Sequence, residues 1–241
     1  MKLKTGLINL FVIGLLFASC QKEESTEATA SFPAQEELAK NWQEADLAEL
    51  FGTKNNSYAI TPKQLLILAG DQEVESVRFI PGVLDNELVV TFAGVTTTGE
   101  IMEKITIYPE ERFITQGLKK CEMQQINKAA ITDTKVAQHA IQPATAYQYV
   151  MAWEQKDVNK LEELTSYDGQ RLYHFSYPAS VVKYMASHTS SDYISLSWGI
   201  NEKDKMTPVF LPLNADGEVT IDTKRADNPY DSGSCCPPDC N

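Results

Sequence analysis

The chain has 241 residues, 43% of them apolar, 9% aromatic and 22% charged, which gives side-chain volume for a packed core and excludes a disordered polymer. Its 21 Lys and Arg face 33 Asp and Glu, a formal charge of -12, which excludes a generic nucleic-acid phosphate binder and argues against docking on anionic lipid through a basic face. No apolar run in the sequence reaches the roughly 18 to 20 residues that span a bilayer.

Lys2 and Lys4 precede an apolar stretch from Gly6 to Ala18 that only Asn9 interrupts. Its length suits the core of a signal peptide, so residues 1–19 are expected to be removed. In Leu16-Phe17-Ala18-Ser19-Cys20, small residues lead into the cysteine, with Phe17 where a Leu is usual. The segment resembles a bacterial lipobox, which implies a lipid on Cys20. This loosened form, followed by Gln21, Lys22, Glu23 and Glu24, resembles the surface-exposed lipoproteins of Bacteroidota. There such an acidic stretch is the export signal to the outer face of the outer membrane. Residues 20–32 read as a flexible tether of about 40 Å at full extension, which holds a folded body beside the membrane without inserting it.

The remainder carries an internal duplication. Pro33 to Trp42 recurs as Pro143 to Trp153, each opening a segment with helical apolar spacing, and Asp46 and Leu50 align with Asp157 and Leu161. Ile60 to Leu66 matches Ser176 to Val182, with Pro62 and Pro178 expected just inside a short helix. Ser76–Val83 then parallels Asp192–Ile200, and Glu87–Val95 parallels Met206–Asn214, as pairs of strands. Glycine turns at Gly99 and Gly217 lead to a third strand, Lys104–Tyr108 or Val219–Asp222. The predicted fold is therefore α+β, with two duplicated units, each two helices followed by a small antiparallel β-meander. They span 33–121 and 143–241, joined by a helical linker over 122–142.

The chain closes on Cys235-Cys236-Pro237-Pro238-Asp239-Cys240. With the helix, the glycine-bearing strand and the Asp216-Gly217 turn before it, residues 178–240 resemble a family of small Bacteroidota proteins that end in Cys-Pro-Pro-x-Cys and have no assigned function. Trp198-Gly199-Ile200 departs from that pattern, in which the glycine comes earlier. The resemblance implies shared fold and lineage and carries no activity with it.

Apart from Cys20, the exported chain has Cys121, Cys235, Cys236 and Cys240, an even number that favours disulfides in one of three connectivities. A zinc site is disfavoured because Cys235-Cys236-x3-Cys240 lacks the C-x2-C knuckle, and redox chemistry because C-x-x-C is missing. His139, His174 and His188 stand singly, outside any metal-ligand spacing. No catalytic residue, metal or cofactor is assigned. The expected function is that of a non-catalytic outer-membrane surface lipoprotein, an accessory binding subunit of a larger assembly. Its partners would be the membrane through Cys20 and an outer-membrane protein, with no nucleic acid. The alternatives are an unrecognised secreted hydrolase and a glycan binder that stacks sugars on its Trp and Tyr side chains.

Overall fold

Asp46, Thr61 and Asp133 are short polar residues that each start a helix of this chain. The computed structural model describes residues 34–51, 57–109, 123, 125–221, 227–231 and 234–236. Helix α1 (Gln35–Glu44) turns Leu38, Ala39 and Trp42 inward at helical spacing. The Asp46 carboxylate then accepts the Ala48 N–H at 2.9 Å and starts α2 (Leu47–Phe51). After strand β1 (Ser57–Ile60), Thr61 caps α3 (Pro62–Gly70). Its hydroxyl accepts the Gln64 N–H at 3.2 Å, and Gln64 Oε1 accepts the Thr61 N–H at 3.0 Å, a reciprocal capping box. Strands β2 (Val74–Leu84) and β3 (Glu87–Thr96) are joined by Asp85 and Asn86, whose φ angles of 52° and 63° suit a two-residue hairpin turn. Strand β4 (Ile101–Ile107) follows.

The second half runs in a comparable order. It holds α4 (Thr134–Ala137), α5 (Pro143–Glu154), a 3₁₀ turn (Val158–Lys160) and α6 (Leu161–Thr165). A small hairpin of β5 (Ser166–Tyr167) and β6 (Gln170–Arg171) precedes β7 (His174–Pro178) and α7 (Ala179–His188). Strands β8 (Tyr193–Ile200), β9 (Met206–Leu213), β10 (Tyr230–Asp231) and β11 (Ser234–Cys236) complete it.

The strands that precede α3 and α7 leave their own halves. β1 pairs with β8 and β7 pairs with β2, both antiparallel. The two larger sheets, β1-β8-β9-β10 and β11-β7-β2-β3-β4, thus each hold strands from both halves. A single shift of 117 residues relates the two exchanged ladders. Tyr58 faces Leu196, and the positions 117 residues from each, Phe175 and Phe79, face one another as well. The same shift takes the cap Thr61 to the cap Pro178. The turns after β3 and β9 share a pattern too: Gly99 N–H donates to Thr96 O at 3.1 Å, and Gly217 N–H to Asn214 O at 3.0 Å.

The sheets pack face to face, and the helices cover what remains. Phe79 of β2 and Tyr177 of β7 meet Phe210 of β9 with ring centroids 5.0 and 5.5 Å apart, and Phe175 meets Trp198 at 6.1 Å. On the opposite faces, α1 lies along β2 and α5 along β8. Each helix crosses its strand at a glycine. A Cβ at Gly82 would stand 2.9 Å from Leu38 Cβ, and one at Gly199 would stand 2.9 Å from Tyr149 Cβ. At the edge of this core, Phe51 packs edge-on against both Trp42 and Trp153, at 6.1 and 5.0 Å. Residues 33–241 thereby form one compact unit.

The structure is mixed α+β with antiparallel sheets, as expected, and differs from the sequence reading in four places. Each half has a strand between its two helical segments, so the plain order of two helices then a meander does not occur. His174 to Pro178 is only five residues long and abuts a helix, too short for alternation to declare it. Pro178 is the cap of α7, with Ala179 its first helical residue, whereas Pro62 does lie inside α3. Of the linker expected as helix over 122–142, residues 126–133 have no regular secondary structure, and Asp133 caps only the four residues of α4. The buried Asn228 side chain holds the non-helical part, accepting the Ala129 N–H at 2.7 Å and donating to its carbonyl at 3.4 Å. Finally, the third strand expected from Val219 is reduced to one bridge to Leu213, closed by Thr220 N–H on Pro212 O at 2.9 Å. Pro212 has no N–H with which to extend that ladder, and β10 pairs with β9 instead.

Candidate binding surface

Most residues singled out from the sequence lie outside the described part of the chain. These are Cys20, Gln21, Lys22, Glu23, Glu24, Cys121 and Cys240. Cys235 and Cys236 lie on β11, opposite Phe175 and His174 of β7. The three histidines occupy three different settings. His188 stacks on Tyr184 at the exposed end of α7, and the His139 ring lies 5.4 Å from that of Tyr177. His174 is buried in β7, where burial and the nearby Arg78 guanidinium hold its imidazole neutral, with a pKa lowered to about 4. Its Nδ1 and the Arg78 Nε are buried with no hydrogen-bond partner.

Two shallow polar clefts flank the corner between α1 and α2. One, of about 340 Å³, is lined by Asn41, Glu44, Asp46, Glu49 and Asp85; its neighbour, of about 330 Å³, shares Glu44 and Asp46 and reaches Asn159 and Glu162. The polar groups here are engaged in holding the fold. Asp46 caps α2, Asn41 donates to Val83 O at 3.2 Å, and Glu162 accepts from Arg171. Arg171 also donates to the carbonyls of Trp42 and Ala45 at 2.7 and 2.9 Å, fastening the end of α1 to the second half. Among the described residues, no three His, Cys, Asp or Glu side chains are placed to hold one metal ion, and no helix is long and apolar enough to cross a membrane.

Two pairs of large apolar side chains stand exposed without a structural duty, one on α3 and one on the face of β4 turned away from α3. Leu66 and Ile67 of α3 are 39% and 51% exposed, and Ile101 and Met102 of β4 are 40% and 36% exposed. The two elements adjoin, because the α3 carbonyl of Leu68 lies where a Cβ at Gly94 of β3 would project, 2.1 Å away, and Gly94 pairs with Glu103 of β4. The core face of α3 leaves these side chains out: Leu65, Leu68 and Ala69 are buried, as are Val182, Met185 and Ala186 at the positions 117 residues on in α7. At the two exposed places, however, α7 carries Lys183 and Tyr184. Both are half-buried, and Tyr184 packs against the core, so α7 covers positions that α3 leaves open at Leu66 and Ile67. Sequence reasoning missed these residues, although comparing the halves with their caps in register would have exposed the difference.

Comparison with protein-family models, curated proteins and solved structures finds no match to this chain.

Proposed function

We propose that the protein is a lipid-anchored component of the outer-membrane surface that binds another protein without catalysing a reaction, as an accessory subunit of a larger assembly. The observation that carries this reading is the exposure of Ile101 and Met102 on the edge strand β4 and of Leu66 and Ile67 on α3, whose counterparts in α7, Lys183 and Tyr184, are half-buried. Cys20 supplies the anchor, and Gln21-Lys22-Glu23-Glu24 directs the body outward. In the same reading the body arose by duplication of one α+β unit whose copies exchange a strand. The shared register of the exchanged ladders and the paired glycine crossings support that origin. At least one disulfide joins cysteines of the C-terminal cluster, with a longer link to Cys121 as a further bridge.

Membrane fractionation tests the anchor. Cys20→Ser should move the protein out of the membrane fraction, and replacing Lys22-Glu23-Glu24 by Ala should protect it from protease added to intact cells. Unchanged behaviour of both variants would contradict the proposal.

A further inference from the structure

Edge strands in this fold are short with one exception. β1 has four residues, β10 two and β11 three, whereas β4 has seven and ends the five-stranded sheet. A long open edge presents a row of backbone donors and acceptors to any extended chain, and proteins usually shorten or cover it. On β4 the residues Ile101 to Lys104 are exposed whichever face of the sheet they point to, so a strand laid beside them meets little obstruction. Ile101 and Met102 fall on the face of the sheet turned away from α3, so an added strand reaches them without meeting that helix.

Charge specifies the occupant. Val74 pairs with Thr96, which brings the turn carrying Asp71 and Glu73 beside the turn carrying Glu100. Glu75 and Glu103 extend the same rim, and all five carboxylate residues are exposed. Lys63 and Lys104 are the bases on α3 and β4. A second copy of the chain carries the same net charge of -12 and the same acidic rim, so it suits this edge less well than a cationic chain does.

Resting on the binding role argued above, we propose that the partner is a cationic extended segment of another protein, which adds as a sixth strand along the open edge of β4. Its apolar side chains lie against Ile101 and Met102, on the face of β4 turned away from α3, and its Lys or Arg side chains reach Glu103 and the carboxylate rim. Backbone pairing supplies affinity and the alternation of the segment supplies selectivity.

The probe is a blocked peptide of alternating Lys and Val, titrated against the full chain in detergent, with hydrogen exchange followed at residues 101–107. Expected are saturable binding, exchange slowed at least tenfold over β4, and affinity lowered at least tenfold by Met102→Lys or by Glu100→Lys with Glu103→Lys. The control pair Glu44→Lys with Glu49→Lys, in the cleft between α1 and α2, should change affinity less than twofold. Absent binding, unaltered exchange over β4, or an equal loss in the control pair would each overturn the proposal. If a native partner then co-purifies with wild type and Met102→Lys alike, the binding role survives and this site does not. If no protein co-purifies with either, the binding role itself fails.

Discussion

His174 and the two equivalent tryptophans show how single residues carry this fold. The His174 imidazole is held down near 4, below its ordinary 6.5, by burial and by Arg78. Between those values the unfolded chain binds a proton that the folded chain does not, so His174 lowers stability as pH falls from about 6.5 and stops doing so below about 4. Across that window the loss amounts to about 3 kcal/mol. Chemical denaturation of wild type and His174→Gln at pH 7 and pH 4.5 should show wild type losing about 2 kcal/mol more than the variant. Parallel losses would contradict the assignment. Trp42 and Trp153 stand at matching places, yet the Trp42 indole N–H donates to Leu172 O at 2.7 Å while that of Trp153 is buried without a partner. Trp42→Phe should therefore cost about 1 kcal/mol more than Trp153→Phe in equilibrium unfolding. A larger cost for Trp153→Phe would show that packing on Phe51, not the hydrogen bond, separates the two.

At the scale of elements, the helix-on-glycine crossings are the most demanding contacts. Gly82 and Gly199 each receive a helix so close that an added methyl group reaches Leu38 or Tyr149 at 2.9 Å, and Gly199 also faces Val209 Cγ2 at 2.8 Å. Alanine at either site should destabilise by about 1 to 3 kcal/mol through overpacking, whereas Gly70→Ala, which meets nothing within 4 Å, should change stability little. Thermal unfolding of the three variants checks this, and equal melting temperatures would refute the close approach. The long strands and both tryptophan helices were legible because their apolar spacing persists for eight or more residues. β1 and β7 were not, because four or five residues beside a helix leave no period to read, and the strands they pair with across the halves lie about a hundred or more positions away. The linker was misread for a different reason. Its backbone donor at Ala129 is satisfied by the distant Asn228, a tertiary contact invisible to local pattern. Leu66 and Ile67 sit in the short apolar run Leu65–Ala69, where local pattern does not separate inward from outward positions.

Residues 33–241 are one body in which each half completes the other's sheet, and in the proposed reading Cys20 and the acidic stretch after it anchor that body. Its overall charge of -12 favours basic partners, and the carboxylate rim around β4 directs that preference to one place. The exchanged strands also fasten the proposed binding surface to both halves. α3 follows directly from β1, which is locked into the second half's sheet, so α3 and β4 are held from both halves. The most direct test of partner binding through this surface is site-specific photocrosslinking of the full lipoprotein on intact cells. A crosslinker at Met102 is predicted to give one dominant adduct with an outer-membrane protein, lost when Ile101→Lys is added, while a crosslinker at Asn159 gives none. No adduct at Met102, or the same adduct from both positions, would contradict the account.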